Sequence, residues 1–317
     1  MHFFVLGSYM NANFMKVHCL PAENESHHAH AMWQEHGGKG LNLGVGLHRL
    51  GIPVTMLLGI GRDHAGEAVH NFMIKENMNT QGVVYLGEQS GYGVGFIDAQ
   101  GKNFLAAFPG ANALIDTHHV ESQFEGIDKL DWVCAQFECP EAAILRAFEL
   151  AKTYGARTYL NPSPWHMPSP ELMALTDVLV VNTHEAALVF NAPEAASWDM
   201  QTWSQHLPDM VQQLAFRHPL IVVTLGCEGV LAFQDQDKTY YQPAWPIEQI
   251  DATGAGDAFG CGLLWGLSRD LPMAQTLQFA NACGALVAAS SGVLAALPHI
   301  ADVEAFLQVH QPTLKSI

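Results

Sequence analysis

Chemistry concentrates in the run Asp251-Ala-Thr253-Gly254-Ala255-Gly256-Asp257-Ala-Phe259. Glycines at 254 and 256 free the backbone to turn successive N–H groups into one concavity. The helical pattern that follows places that concavity at a helix N-terminus, where the dipole favours an anion such as a phosphoryl group. Asp257 falls in the first helical turn, within reach of a substrate hydroxyl whose proton a carboxylate can accept as attack proceeds. A catalytic Asp257 with the N–H groups of Gly254, Ala255 and Gly256 would suit phosphoryl transfer to an alcohol. The same residues would also serve as a plain helix cap.

A second cluster, His36-Gly37-Gly38-Lys39-Gly40-Leu-Asn42, brings backbone close to a ligand and sets Lys39 and Asn42 about one turn apart as a helix begins. Such a group suits a polyol, although by itself it is a glycine-rich loop with one lysine. Asn182-Thr-His184-Glu185 follows an apolar run. If a helix starts there, both polar side chains face one ligand and Glu185 can hold magnesium through water. The alternative is an Asn cap with an acidic first turn. Thr224-Leu-Gly226-Cys-Glu-Gly229 closes another apolar run with glycines against which a nucleotide can lie, or is only a turn.

Other patterns fail. The stretch from Gly95 to Gly101-Lys102 has the wrong spacing, and Asn103 replaces the Ser or Thr of a Walker A loop. Phe259 stands where a dinucleotide fingerprint needs its third glycine, and Leu188 where a zinc protease motif after His184-Glu185 needs its second histidine. His27, His28, His30 and His36 are explained as an exposed edge more simply than as a metal site.

These residues need a frame. Short apolar runs at Phe3 to Leu6, Val54 to Gly59, Trp132 to Ala135, Thr158 to Leu160, Val178 to Val181 and Ile221 to Thr224 read as doubly covered parallel strands. Helical patterns lie between them, as at Leu41 to Leu50, Glu141 to Tyr154 and Asp257 to Leu267. Tyr240 to Ile250 is strand-like, and Leu271 onward predicts a buried helix ending at Gly292. The series predicts an α/β fold with ligands at the strand C-terminal ends. Tyr92 to Ile97, a turn at Asp98 to Gly101, and Phe104 to Phe108 read as a β-hairpin, while residues 14 to 36 look extended. The two pieces can pair as a small sheet covering the binding edge, a lid, or as an ordinary β-excursion.

Composition narrows the partners. The chain of 317 residues is 49% hydrophobic with a net charge of −17, so it is globular and repels nucleic-acid phosphates and anionic membranes at long range. One major domain with an insertion is expected. Six scattered cysteines without a C-x-x-C pair, and an N-terminus without a basic secretory leader, predict a reducing, cytoplasmic setting.

Taken in this order, the motifs resemble the ribokinase-like carbohydrate kinases, the PfkB family, from Leu6 to about Phe306. Gly7-Ser8 with Asn11-Ala12, the Gly37-Gly38-Lys39-Gly40 plus Asn42 signature, Asn182-x-x-Glu185, Thr224-x-Gly226 and Asp251-x-Thr-Gly-Ala-Gly-Asp257 all fall where that family has them. Gln136-Phe-Glu138-Cys-Pro140 and Leu160-Asn161-Pro162-Ser163-Pro164 are similar to its ribokinase branch. The resemblance implies a three-layer α/β/α sandwich with a mostly parallel sheet and a β lid drawn from about 11–36 and 83–110, within one domain over 1–317.

It also implies roles. Asp257 would be the base, and the N–H groups of Gly254 to Gly256 the anion hole for the transferring phosphoryl. Asn11, Gly38, Lys39, Asn42 and Glu138 would bind the sugar. Asn182, Glu185, Thr224, Gly226, Gly229 and Asn281 would line the nucleotide side, with ATP carrying magnesium and Glu185 acting on it through water. Asp251 and the Thr253 carbonyl would begin a monovalent-cation site for potassium, completed near Ser290 to Gly292. Lid edges often pair between subunits in this family, so a homodimer is expected.

One departure stands out. Where the family's ribose kinases have Gly-Ser-x-Asn-Ala-Asp, this chain reads Gly7-Ser8-Tyr9-Met10-Asn11-Ala12-Asn13, with one extra residue and Asn13 in place of a sugar-gripping Asp. An amide accepts at one end and donates at the other, so the preferred hydroxyl pattern changes. Ribose is the lead substrate, phosphorylated on its terminal hydroxymethyl group. Fructose, another pentose, a keto-deoxy sugar acid or a nucleoside stay open, and a non-catalytic sensor would be expected to have lost Asp257 or its glycines.

Overall fold

The computed structural model describes residues 1–100, 103–214, 219–234 and 238–310. Its main sheet has nine strands in the order β13-β12-β11-β10-β9-β8-β1-β4-β5. They are β1 (Phe3–Gly7), β4 (Val54–Ile60), β5 (Val83–Tyr85), β8 (Trp132–Gln136), β9 (Arg157–Asn161), β10 (Val178–Asn182), β11 (Leu220–Thr224), β12 (Val230–Gln234) and β13 (Lys238–Gln242). Only β12 runs against its neighbours. The inner strands are largely apolar because helices cover both faces, and β1 and β8 are buried at every residue. Alternate side chains therefore enter two separate cores. Phe3, Val5, Cys134 and Val222 pack on one side, and Phe4, Leu6, Val133 and Val223 on the other.

The first core is closed by α1 (Lys39–Arg49), α2 (His64–Lys75), α8 (Ala255–Leu267), α9 (Met273–Ala288) and α10 (Ile300–Val309). The second lies under α3 (Thr117–Phe124), α4 (Glu141–Thr153), α5 (Pro170–Ala174), α6 (Thr183–Val189) and α7 (Met200–Gln212). Helices α8 and α9 pack closely. A Cβ at Gly262 would lie 2.7 Å from the Ala280 Cα, so only glycine allows the approach that fixes the N-terminus of α8. The expected three-layer α/β sandwich is thus present.

A second, four-stranded sheet in the order β3-β2-β6-β7 stands beside the first. It consists of β2 (Met10–Lys16), β3 (Ala31–Gly37), β6 (Gly91–Ile97) and β7 (Asn103–Phe108). This is the predicted lid, with narrower limits. Residues 83–85 form β5 and pair with β4 in the main sheet, and residues 17–30 carry no regular structure. Of the hairpin's connection, residues 101–102 lie outside the described residues. Two other expectations need correction. The strand anticipated over 240–250 ends at Gln242, since Pro243 and Pro246 lack the N–H groups that a ladder requires. The helix anticipated to Gly292 ends at Ala288, four residues short.

Candidate active site

Helix α8 begins at Gly254, whose φ of 79° is left-handed. A Cβ there would also lie 2.4 Å from Val293 Cγ1, so conformation and space both demand glycine. A Cβ at Gly256 would meet nothing within 4 Å, so there is open space beside the mouth of α8, where the Ala255 N–H donates to the Ala252 carbonyl at 3.1 Å. Asp257 stands at this mouth with a side chain 9% exposed. Asn42 Nδ2 donates to its Oδ2 at 2.7 Å, and Lys39 Nζ lies 3.8 Å from its Oδ1. The Oδ1 of Asn42 is buried without a partner. A substrate hydroxyl would satisfy such an acceptor.

Lys39 and Asn42 reach Asp257 because α1 starts against the end of β1. A Cβ at Gly40 would lie 2.3 Å from the Gly7 Cα, and Gly40 N–H donates to Ser8 Oγ at 3.1 Å. Ser8 Oγ in turn donates to Glu138 Oε2 at 2.5 Å, which also accepts the Lys39 N–H at 2.7 Å. Glu138 thereby fixes the Gly38-Lys39 turn, where Gly38 has φ 104°. Burial pushes the Glu138 carboxyl above its usual range, against the Ser8 hydroxyl and the Lys39 cation. The Asp257 carboxylate raises the Lys39 ammonium above its ordinary value despite burial, with Glu138 and Glu185 adding to it. The site therefore keeps a cation between carboxylates, ready to face a more negative ligand.

Beside the mouth of α8 lies a cleft of about 480 Å³. Thr224, Gly226 and Gly229 line one side, and Ala255, Gly256 and Asn281 the other. Trp245, Ile247 and Ala285 supply apolar walls suited to a flat base. These three belong to none of the motifs read from the sequence, and the prolines at 243 and 246 are the local sign that the chain leaves the sheet there. Asn281 Nδ2 donates to the carbonyls of Gln242 and Pro243, at 3.3 and 3.0 Å, and so pins that same wall.

Asn182 and Glu185 sit outside that lining and form a reciprocal cap on α6. Glu185 N–H donates to Asn182 Oδ1 at 2.8 Å, and Asn182 N–H to Glu185 Oε2 at 3.0 Å. One Glu185 oxygen is thus engaged. Among the described residues no group of three or more His, Cys, Asp or Glu is placed to hold a metal. A metal arriving on phosphates and meeting the one carboxylate of Glu185 through water fits this arrangement. Asp251 Oδ1 accepts from Thr253 N–H at 2.9 Å and Thr253 Oγ1 at 2.7 Å. Its own N–H donates to the Ala288 carbonyl at 3.2 Å, which brings it to the end of α9, just before Ser290 to Gly292.

The lid divides the remaining candidates. Along β2, alternation puts Met10, Ala12 and Phe14 on one face and Asn11 and Asn13 on the other. Ala12 pairs with Glu35, and Glu35 Oε2 accepts the Val293 N–H at 3.0 Å. Val293 is the residue packed over Gly254, so the Ala12 face looks toward the catalytic mouth. Asn11 and Asn13 face away with Gln34 and His36. Asn13 Nδ2 donates to the Asn11 carbonyl at 3.0 Å, and Gln34 Nε2 to Asn11 Oδ1 at 2.5 Å. β2 pairs without a bulge from Met10 to Lys16, so Ala12 shares its face with Glu35, and Asn11 and Asn13 lie on the opposite face.

A family described as pfkB family carbohydrate kinase matches residues 2–300. The ribokinase of Staphylococcus aureus is 26% identical over 302 residues, spanning 94% of this chain and 97% of that one. The ribokinase of Schizosaccharomyces pombe is 25% identical over 318 residues, 98% of each chain. Among solved structures, the Arabidopsis thaliana ribokinase complexed with ribose and ATP has the same fold, with a TM-score of 0.83 at 22% identity over 96% of this chain and 98% of that one. The chain belongs to the pfkB family of carbohydrate kinases. It is an ATP-dependent phosphotransferase whose acceptor is an alcohol group of a sugar.

Proposed function

We propose that this enzyme phosphorylates the terminal hydroxymethyl group of ribose or a close relative of it. The observation that carries the reading is Asp257, bracketed by Asn42 and Lys39 at the open N-terminus of α8, next to a cleft that Ala255 and Gly256 also line. Asp257 accepts the hydroxyl proton at its carboxylate as the oxygen attacks. Lys39 and Asn42 orient the sugar, and Glu138 holds the turn that carries Lys39. The N–H groups of Ala255 and Gly256 receive charge on the transferring phosphoryl. When bound, magnesium neutralises phosphate charge, with Glu185 on its water shell. Asp251, the Thr253 carbonyl and Ser290 to Gly292 would hold a potassium ion, whose charge would steady the anion-hole loop.

Two further parts belong to this reading. Met32, Tyr92, Phe104 and Phe108 are between 45% and 71% exposed, and the pairing puts all four on the lid face turned away from the site. Such a patch suits a homodimer in which two lids pack face to face. No helix of the described residues is long and apolar enough to cross a membrane. Four buried free thiols, at Cys134, Cys139, Cys261 and Cys283, support a reducing, cytoplasmic compartment.

The test is ADP release from ATP and magnesium over pentoses, hexoses, sugar acids and nucleosides, with and without potassium. Fast, potassium-stimulated turnover on ribose with a phosphomonoester on its primary carbon is expected. Turnover confined to nucleosides, or none on any sugar, would refute the reading.

A further inference from the structure

Across the catalytic face of the lid, one row of paired residues reads Glu35, Ala12, Gly93, Ala107. Three of the four positions carry a methyl or nothing. A Cβ built at Gly93 would meet only the Ala12 backbone, at 3.8 Å, so the space in front of this row is open. The next row outward, Trp33, Phe14, Gly95 and Leu105, is apolar, and Phe14 stacks on Trp33 at 5.2 Å. A sugar bound between Asp257 and the lid would turn its remaining hydroxyls toward this row. Within these two rows Glu35 is the one group able to accept from them.

Glu35 is also held in place to do so. Its Oε2 takes the Val293 N–H at 3.0 Å, next to Gly292 with φ 82°, which leaves Oε1 for a ligand. That anchor ties the lid to the residue packed over Gly254, so a group gripped by Glu35 is positioned relative to the anion hole itself. Directly paired residues on neighbouring strands have Cβ atoms about 4.5–5.5 Å apart. A longer Glu on β3 can therefore cover the volume in front of a small residue on β2.

We propose that Glu35 is the lid's sugar-gripping carboxylate and a determinant of which sugar is accepted, making from β3 the contact for which Ala12 on β2 has no functional group. The inference rests on the sugar-kinase reading above. A carboxylate anchored at one oxygen presents a single strong acceptor from one side, so it favours a sugar with a hydroxyl at that position and discriminates against isomers that point it elsewhere.

The test compares wild type with E35Q, E35A and the double variant A12D/E35A, varying sugar, ATP and potassium separately and reading sugar affinity by calorimetry in parallel. Glutamine keeps an acceptor oxygen for the Val293 N–H and removes only the charge. Both E35Q and E35A are expected to raise the sugar KM and dissociation constant about ten- to hundredfold, with KM for ATP within about twofold, and to reorder the sugar panel. The double variant returns a carboxylate to the paired position and recovers much of the sugar affinity. If E35Q binds sugar like wild type and only E35A is impaired, Glu35 is a latch for Val293 and the proposal is overturned. An effect confined to potassium dependence overturns it equally. A wild-type protein inert on every sugar would instead defeat the kinase reading, and this inference with it.

Discussion

Asp257 depends on neighbours that come from distant parts of the chain, and glycine decides how close they stand. Gly254 is the sharpest case, since it needs a positive φ and its missing Cβ makes room for Val293. Gly254→Ala is expected to cost about 1–3 kcal/mol of stability through backbone strain and to lower kcat at least tenfold by tilting the first N–H groups of α8. Urea unfolding and steady-state kinetics on the same preparation check both; an unaltered kcat would mean that the loop adapts. At this scale the sequence was informative where roles follow from local spacing. Lys39 and Asn42 lie one turn apart and share one target, as that spacing suggests, although only the fold shows the target to be Asp257. The facing of Asn13 was not legible, because a one-residue shift in alternation moves a side chain across the sheet, and only the pairing of β2 with β3 and β6 settles which face it takes. Glu35 could have been noticed as a carboxylate two residues before Gly37 on an alternating strand, but its reach to Val293 spans most of the chain.

Elements carry the site through clamps of the same long range. Arg49, in the last turn of α1, donates through Nε and Nη2 to the two Glu76 oxygens at 3.1 and 2.7 Å. Its Nη1 donates to the carbonyls of Leu294 and Leu297, so α1, the end of α2 and the segment after Val293 are held by one guanidinium. Hydrogen bonds from Arg49 and its charge hold the Glu76 carboxyl below the usual carboxylate range, against partial burial. A carboxyl whose pKa is depressed on folding stabilises the fold above its unfolded pKa of about 4.3, and that contribution disappears as pH falls through the folded value. Glu76→Gln is therefore expected to lower stability by about 1–3 kcal/mol at pH 7, with the gap to wild type closing as acid protonates Glu76 in the folded state. Chemical denaturation across pH reads this, and a gap that persists in acid would assign the loss to packing rather than charge. The main strands were readable as apolar runs because a doubly covered sheet leaves no polar alternation to obscure them. The 243–250 segment misled for the same reason: apolar residues such as Trp245 are there to wall a cleft, not to fill a sheet.

For the whole molecule, a net charge of −17 coexists with a candidate site organised around Lys39 and the N-terminus of α8, where in the proposed reading local dipoles rather than overall charge receive the anionic nucleotide. The lid's outward patch makes a prediction of its own. Sedimentation at micromolar concentration should show a dimer, and F104E with F108E should give monomers whose fold is intact; a wild-type monomer would remove the lid-to-lid packing. The fold class and the order of motifs could be read from the chain alone, since each motif closes a recognisable strand or opens a helix. How the lid is oriented over the main sheet could not, because that depends on contacts between residues 35 and 293.

The central claim is that Asp257 removes the proton from a sugar hydroxyl poised at the α8 anion hole. The most direct measurement is the single-turnover rate of phosphoryl transfer by Asp257→Asn beside its sugar and ATP dissociation constants. The account predicts a rate lower by about 10²- to 10⁴-fold with both affinities changed only a few-fold. An undiminished rate would contradict it, and a loss explained wholly by weaker sugar binding would make Asp257 a binding residue and leave the reaction without its base.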